Sequence, residues 1–118
     1  MGIPLPDPIG HSGNLGLLFE EHANEDRPAL IDLRDNKKSH IVTYNDLDTF
    51  CNAVARGLAK RGLKPGDRIG ILSLNRTEFI STLLGAMRAG VIPVPINVKL
   101  PAHTISYIIN DANIKLLF

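Results

Sequence analysis

Gly85 and Gly90 have the outer spacing of a phosphate-cradling loop, whose amides hold phosphate oxygens while a following Lys and Ser or Thr reach the terminal phosphates and Mg²⁺. Val91 and Ile92 occupy those two places here. Apolar side chains supply neither charge nor hydroxyl, so helix packing at Gly85 and helix termination at Gly90 account for the pair. No G-x-G-x-x-G follows a strand. "GHSG" at Gly10 to Gly13 resembles a serine-nucleophile elbow, but its second Gly comes one residue early and no strand precedes it.

The titratable residues are similarly dispersed. His11, His22, His40 and His103 form no pair at the three- or four-residue spacing of metal ligands on a helix. His103 falls in the first turn of a predicted helix, where an exposed helix-start role suffices. Asp32, Asp35, Asp46, Asp48 and Asp67 read as loop or cap carboxylates, Asp67 belonging to a Pro-Gly-Asp turn. The single cysteine, Cys51, lies in a helical apolar stripe and reads as a small core residue; unable to form an internal disulfide, it fits a reducing cytoplasm. No catalytic, cofactor-binding or metal-ligating residue is assigned.

The elements around these residues are strongly patterned. The first thirteen residues hold three prolines and three glycines and predict a flexible arm over 1–13. Asn14 then caps a predicted short helix with Leu15, Leu18 and Phe19 on its inward face. "PALIDL" and "HIVTY" predict a β-hairpin. Leu47, Phe50, Cys51, Val54, Ala55 and Leu58 share one helix face, with Thr43 and Asp46 at the start and Gly62 as the stop. "LKPGD" turns into the apolar strand "RIGILSL", where Gly70 permits close approach. Asn75 and Glu78 have capping-box spacing for the next helix, whose stripe is Phe79, Ile80, Leu83, Leu84 and Met87; the Asn75-Arg76-Thr77 glycosylation triplet is read through that capping role. The strand Val91 to Ile96 carries Pro93 and Pro95, two residues apart, so both missing N–H groups point to one side and the strand is expected at an edge. Pro101 opens a helix lined by Ile105, Ile108, Ile109 and Ala112; Asn113 is its left-handed stop, and "IKLLF" is a last strand. Strands alternating with helices predict the α/β class: a partial doubly wound parallel sheet with crossover helices, preceded by a short helix and a β-hairpin.

At 118 residues, 44% apolar and 21% charged with a net charge of +1, the chain is sized and composed for one soluble domain. Scattered Lys and Arg without aromatic partners argue against nucleic acid, and no apolar run reaches the roughly 18 residues of a membrane span.

Thr43-Tyr44 with Leu47 opening a helix, Gly62 followed by Lys64-Pro65-Gly66-Asp67, Asn75 through Phe79, Ala89-Gly90 leading into "VIPVPIN", and "YIINDANIK" recur in this order and spacing along residues 14–118. The succession resembles the N-terminal part of the AMP-forming acyl-CoA synthetases and related adenylate-forming ligases. The resemblance implies a parent that binds ATP with Mg²⁺, joins a carboxylate to AMP with release of pyrophosphate, and passes the acyl group to coenzyme A. The family's phosphate loop, nucleotide-binding motifs, metal-binding acid and C-terminal Lys all follow the matching region, so none is transferred to a residue here. The resemblance therefore implies an N-terminal fragment, inactive alone, whose partner is the remainder of the ligase or a second copy through uncovered apolar surface. A stand-alone interaction module derived from that fold is the alternative. Pro101-Ala102-His103-Thr104 departs from the Thr-Pro-Glu-Glu helix start common in relatives, which weakens that one cap.

Overall fold

The computed structural model describes residues 13–35 and 38–118, so the expected arm over 1–13 lies almost wholly outside the described residues. The chain runs through two 3₁₀ turns (Leu15–Leu17 and Glu20–His22), β1 (Pro28–Asp35), β2 (Lys38–Thr43), α1 (Tyr44–Lys60), β3 (Arg68–Ile71), α2 (Thr77–Arg88), β4 (Ile92–Pro95), α3 (Ala102–Asp111) and β5 (Ile114–Leu117). β1 and β2 pair antiparallel, and the other three strands form a parallel sheet in the order β4-β3-β5. The step from β3 out to β4 and the return across β3 to β5 run in opposite directions. With right-handed crossovers, they put α2 and α3 on opposite faces of the sheet, the doubly wound plan.

Local signals set most boundaries. The Thr43 side chain accepts from Asp46 N while Asp46 accepts from Thr43 N, a complete capping box for α1. Gly62 and Gly90 take positive φ (80° and 72°) after α1 and α2, and Asn113 takes φ 50° after α3. The Lys64–Asp67 turn is closed by Lys64 N donating to the Asp67 carboxylate at 2.8 Å, and Lys115 Nζ joins the other oxygen at 3.0 Å, tying turn to β5. Arg68 Nε donates to Ala112 O at 2.7 Å and so serves a terminal carbonyl of α3.

β4 resolves the two prolines. It is an edge strand in which Pro93 and Pro95 lie opposite Ile69 and Ile71. Ile92 N and Ile96 N donate to Asp67 O and Ile71 O, each at 2.8 Å, so the inward amides belong to non-proline residues and the missing donors face outward. Gly70, on the central strand, leaves room that a Cβ would fill: it would meet Leu117 Cδ1 at 2.7 Å.

Two apolar clusters hold the layers together. Phe19, Val42, Leu47, Cys51 and Leu84 join the 3₁₀ segment, hairpin, α1 and α2; Leu58, Ile69, Ala86 and Val91 join α1 and α2 to the sheet. α3 buries no residue fully, its Ile105, Ile108 and Ile109 being half-covered.

Three local expectations change. The short helix is instead two 3₁₀ turns, in which Phe19 is buried while Leu15 and Leu18 stay 51% and 41% exposed: three-residue turns offer no continuous face. Pro101 is the N-cap of α3, one position before the helix. The Asn75–Glu78 box does not form: α2 begins at Thr77 with Arg76 as an N-cap lacking a side-chain bond, because a carboxylate from β1 reaches that end first.

Candidate functional site

In open parallel α/β sheets ligands sit outside the carboxyl ends of the strands. Here the loops after β3 and β4 wall a groove of about 420 Å³ there, lined by Ser73, Asn75, Phe79, Asn97 and Lys99 among others. Its polar groups are few and partly engaged. Ser73 Oγ donates to Leu74 O at 3.0 Å, and Asn97 Oδ1 accepts from Lys99 N at 2.9 Å. Among the described residues, Lys99 is the one cationic side chain lining it, and no carboxylate or imidazole joins it. The groove can position a small polar group beside an aromatic ring; it contains no base or nucleophile pair for chemistry.

The start of α2 is the other natural anion site, since helix N-termini present unpaired amides. The protein fills it with its own carboxylate. Asp32 on β1, 7% exposed, accepts through Oδ2 from Thr77 N (3.2 Å) and Thr77 Oγ1 (2.9 Å), and also from Arg34 Nε (3.0 Å) and Nη2 (2.6 Å); its Oδ1 accepts from Arg34 N at 3.0 Å. Arg34 then turns its Nη1 and Nη2 to Glu78 at 3.0 and 2.9 Å, a two-pronged pair. The Arg34 side chain, then its amide, holds the Asp32 carboxyl well below the usual carboxylate range; the same guanidinium lowers Glu78, and both acids raise Arg34. A groove of about 580 Å³ runs beside this node between Leu30, Ile31, Leu33, Phe79 and Ile80. Asp32 had no distinguishing signal in the sequence: Arg34 is an ordinary strand neighbour two residues on, and Thr77, whose amide makes Asp32 a helix cap, lies 45 residues away.

A third polar cluster is interior. Arg88, whose side chain is 5% exposed, donates from Nη1 to Asp48 Oδ1 (2.7 Å) and Asn52 Oδ1 (2.8 Å), and from Nε to Gly16 O (2.7 Å); its guanidinium lies 5.1 Å from the Phe19 ring centre. Sequence reading passed over Arg88, whose position near the end of α2 looks like an ordinary basic last turn.

The remaining screened residues stay apart. His22 Nδ1 meets Glu25 Oε1 at 2.7 Å near the surface, His40 is exposed on β2, and His103 is exposed in the first turn of α3. His11 lies outside the described residues. Asp46 and Asp67 serve cap and turn as read, and Asp48 pairs with Arg88. Burial pushes the Cys51 thiol up to about 11, so it is protonated and unreactive at neutral pH. Among the described residues no group of three His, Cys, Asp or Glu side chains is placed to hold a metal ion, and no helix is long and apolar enough to cross a membrane.

Comparison with known proteins places this arrangement. A family model described as AMP-binding enzyme matches residues 19–118. Surfactin synthase subunit 1 of Bacillus subtilis is 35% identical over 112 residues, covering 93% of this chain and 3% of that protein. The fatty acid–[acyl-carrier-protein] ligase ScoC of Streptomyces coeruleorubidus is 35% identical over 77 residues, 65% of this chain and 15% of that one. Among solved structures, the inhibitor-bound N-terminal domain of FACL13 from Mycobacterium tuberculosis superposes with a TM-score of 0.80 at 28% identity, over 88% of this chain and 26% of that chain. The N-terminal subdomain of Klebsiella oxytoca NpsA, with 3-hydroxyanthranilyl-AMSN, gives 0.76 at 27%, again covering 26% of its length. This chain thus spans about a quarter or less of each of these proteins. The ordered strand–helix succession, the family match over 19–118 and these superpositions agree: the chain belongs to the AMP-binding enzyme family.

Proposed function

We propose that the chain provides the N-terminal scaffold of an AMP-forming acyl-CoA synthetase-like ligase and has no adenylating activity by itself. The parent reaction would join a carboxylate to AMP from ATP and then form a thioester with coenzyme A. The observation that carries the inactivity is the donor set at two candidate anion positions among the described residues. A triphosphate with Mg²⁺ needs several cradling amides, cations and a metal-binding acid. The groove beyond β3 and β4 offers Lys99, and the start of α2 is already closed by Asp32. These residues do not fit ATP and Mg²⁺. Cys51, a buried reduced thiol, suits a cytoplasmic setting.

What this chain does in that reading is position. The parallel sheet and its crossover helices form a platform, while Ile92, Leu117 and Phe118 stay 48%, 44% and 46% exposed and offer apolar surface to the remainder of a ligase. Calorimetric titration of the purified chain with MgATP and a coupled pyrophosphate assay test the proposal. No binding heat and no pyrophosphate are expected; micromolar ATP affinity or measurable pyrophosphate release would sink it.

A second reading, an interaction module, is favoured by one observation. Ile31, Leu33 and Ile41 of the hairpin are 62%, 70% and 59% exposed, an apolar ribbon without cover among the described residues. A monomeric species by light scattering at high concentration, with no binding of an apolar dye, counts against it.

A further inference from the structure

We infer that residues 14–23 are a strap, latched by Arg88, that opens and closes over the α1–α2 pair as a unit while the rest of the chain stays folded. The strap has little structure of its own. Its two 3₁₀ turns are closed by Leu17 N to Asn14 O, Leu18 N to Leu15 O, His22 N to Phe19 O and Ala23 N to Glu20 O, and none of its backbone joins a sheet. Phe19 is its single deeply buried large side chain, since Leu15 and Leu18 remain 51% and 41% exposed. Short 3₁₀ turns with one apolar anchor belong to the low-stability end of a fold.

The latch is specific. Arg88 Nε donates to Gly16 O at 2.7 Å, its guanidinium stacks 5.1 Å over Phe19, and Asn14 Nδ2 returns a bond of 3.4 Å to Arg88 O. Gly16 makes this fit possible: a Cβ there would stand 2.5 Å from Arg88 N and 2.6 Å from Leu84 O. At its other end the segment runs into a firm anchor, where Asn45 N donates to Glu25 O and Tyr44 N to Arg27 O, each at 3.1 Å. Motion is therefore hinged between Ala23 and Glu25.

Arg88 also explains why opening is accessible. Its Nη1 is held by Asp48 and Asn52 of α1, neither of which belongs to the strap, so the cation keeps its counter-charge when the strap lifts. Its Nη2 is buried without a partner among the described residues, a desolvation cost present in the closed form that water relieves on opening. Opening would uncover the groove that Phe19 fills among Val42, Leu47 and Leu84. The strap is thus a two-state cover, held shut by the guanidinium it shares with the body and by the Phe19 and His22 rings against Tyr44.

Hydrogen exchange followed by mass spectrometry on the 118-residue chain tests this. Peptides covering 15–23 are expected to exchange about tenfold or more faster than those of α2 and β3, with no dependence on low urea while the core shows one. Arg88→Met should speed the strap by about a further tenfold with α1 and β3 changed less than about twofold. Phe19→Ala is the second variant, required to give the same selective acceleration if Arg88→Met does not fold. Strap amides exchanging at the rate and urea slope of the core, or variants that speed every peptide together or none, overturn the inference.

Discussion

Replacing Gly85 by Ala adds one methyl group where two helices touch. A Cβ at Gly85 would stand 2.6 Å from Val54 Cβ and 2.7 Å from the Cys51 carbonyl oxygen of α1, roughly 0.7–0.8 Å inside the 3.4 Å at which ordinary contact begins. A flexible side-chain tip could yield, but a helix carbonyl moves only if the helix axis moves. Overpacking of this kind costs about 1–3 kcal/mol, and the backbone obstacle places it near the upper end. Ala gains about 1 kcal/mol over Gly in a helix, leaving a net loss of about 2 kcal/mol. Gly57, on α1, is the internal control: its Cβ would meet nothing nearer than Arg61 Nη1 at 3.6 Å. Gly57→Ala should keep the helix gain and stabilise by about 0.5–1 kcal/mol. At about 4 °C per kcal/mol for a chain of this size, the two variants should melt about 10–12 °C apart, on opposite sides of the parent. Thermal melts by circular dichroism, with urea midpoints as a check on two-state behaviour, measure both. A Gly85→Ala protein as stable as the parent would refute the close-packed α1–α2 contact.

Three further outcomes follow from local features. Asp32, held ionised by Arg34 and Thr77, contributes stability in full above its unfolded value near 3.8 and loses it as pH falls below that; Asp32→Asn should flatten the acid limb of a stability-against-pH curve measured by urea unfolding between about pH 5 and 2. Pro95→Val restores an outward amide to the edge strand β4 and should raise self-association, read as a larger weight-average mass in sedimentation velocity; an unchanged mass would contradict the edge-protection role. Asn113→Ala should cost about 1 kcal/mol while Asn113→Gly is neutral within a few tenths, because φ is 50° there; equal costs in urea melts would remove the left-handed stop as the reason for Asn.

Features fixed within a few residues were legible before the structure, and features fixed across the fold were not. Thr43 and Asp46 make their box because both partners lie on one turn. Asn75 and Glu78 have the same spacing, yet Asp32 arrives from β1, carries a full charge and brings Arg34 to occupy Glu78, so the local box loses its partner. Pro93 and Pro95 revealed an edge because proline's missing donor restricts a strand wherever it lies. Leu15 and Leu18 matched a helical face, but helical periodicity presumes a helix, and three-residue turns do not sustain it. Arg88 gave no signal at all: its partners are Gly16, Asp48 and Asn52, on segments that one sequence cannot show to converge. Gly85 and Gly90, which have the outer spacing of a phosphate loop, are a helix contact and a helix stop: a Cβ at Gly85 would meet Val54 and Cys51, and Gly90 takes φ 72°.

The strand order has a consequence for how the chain is assembled in time. β3, at the centre of the sheet, is the first of its three strands to leave the ribosome, and both of its neighbours arrive later, β5 last of all. Until β5 arrives, Ile69 and Ile71 sit on a strand with one edge still open, while the hairpin, α1 and α2 already have each other. Synthesis at about 5–20 residues per second makes that interval a matter of seconds, long compared with the microseconds of hairpin formation. The nascent chain therefore passes through a stage in which α1 and α2 are assembled and the most buried strand still lacks its second neighbour, and that stage is when a chaperone has something to hold.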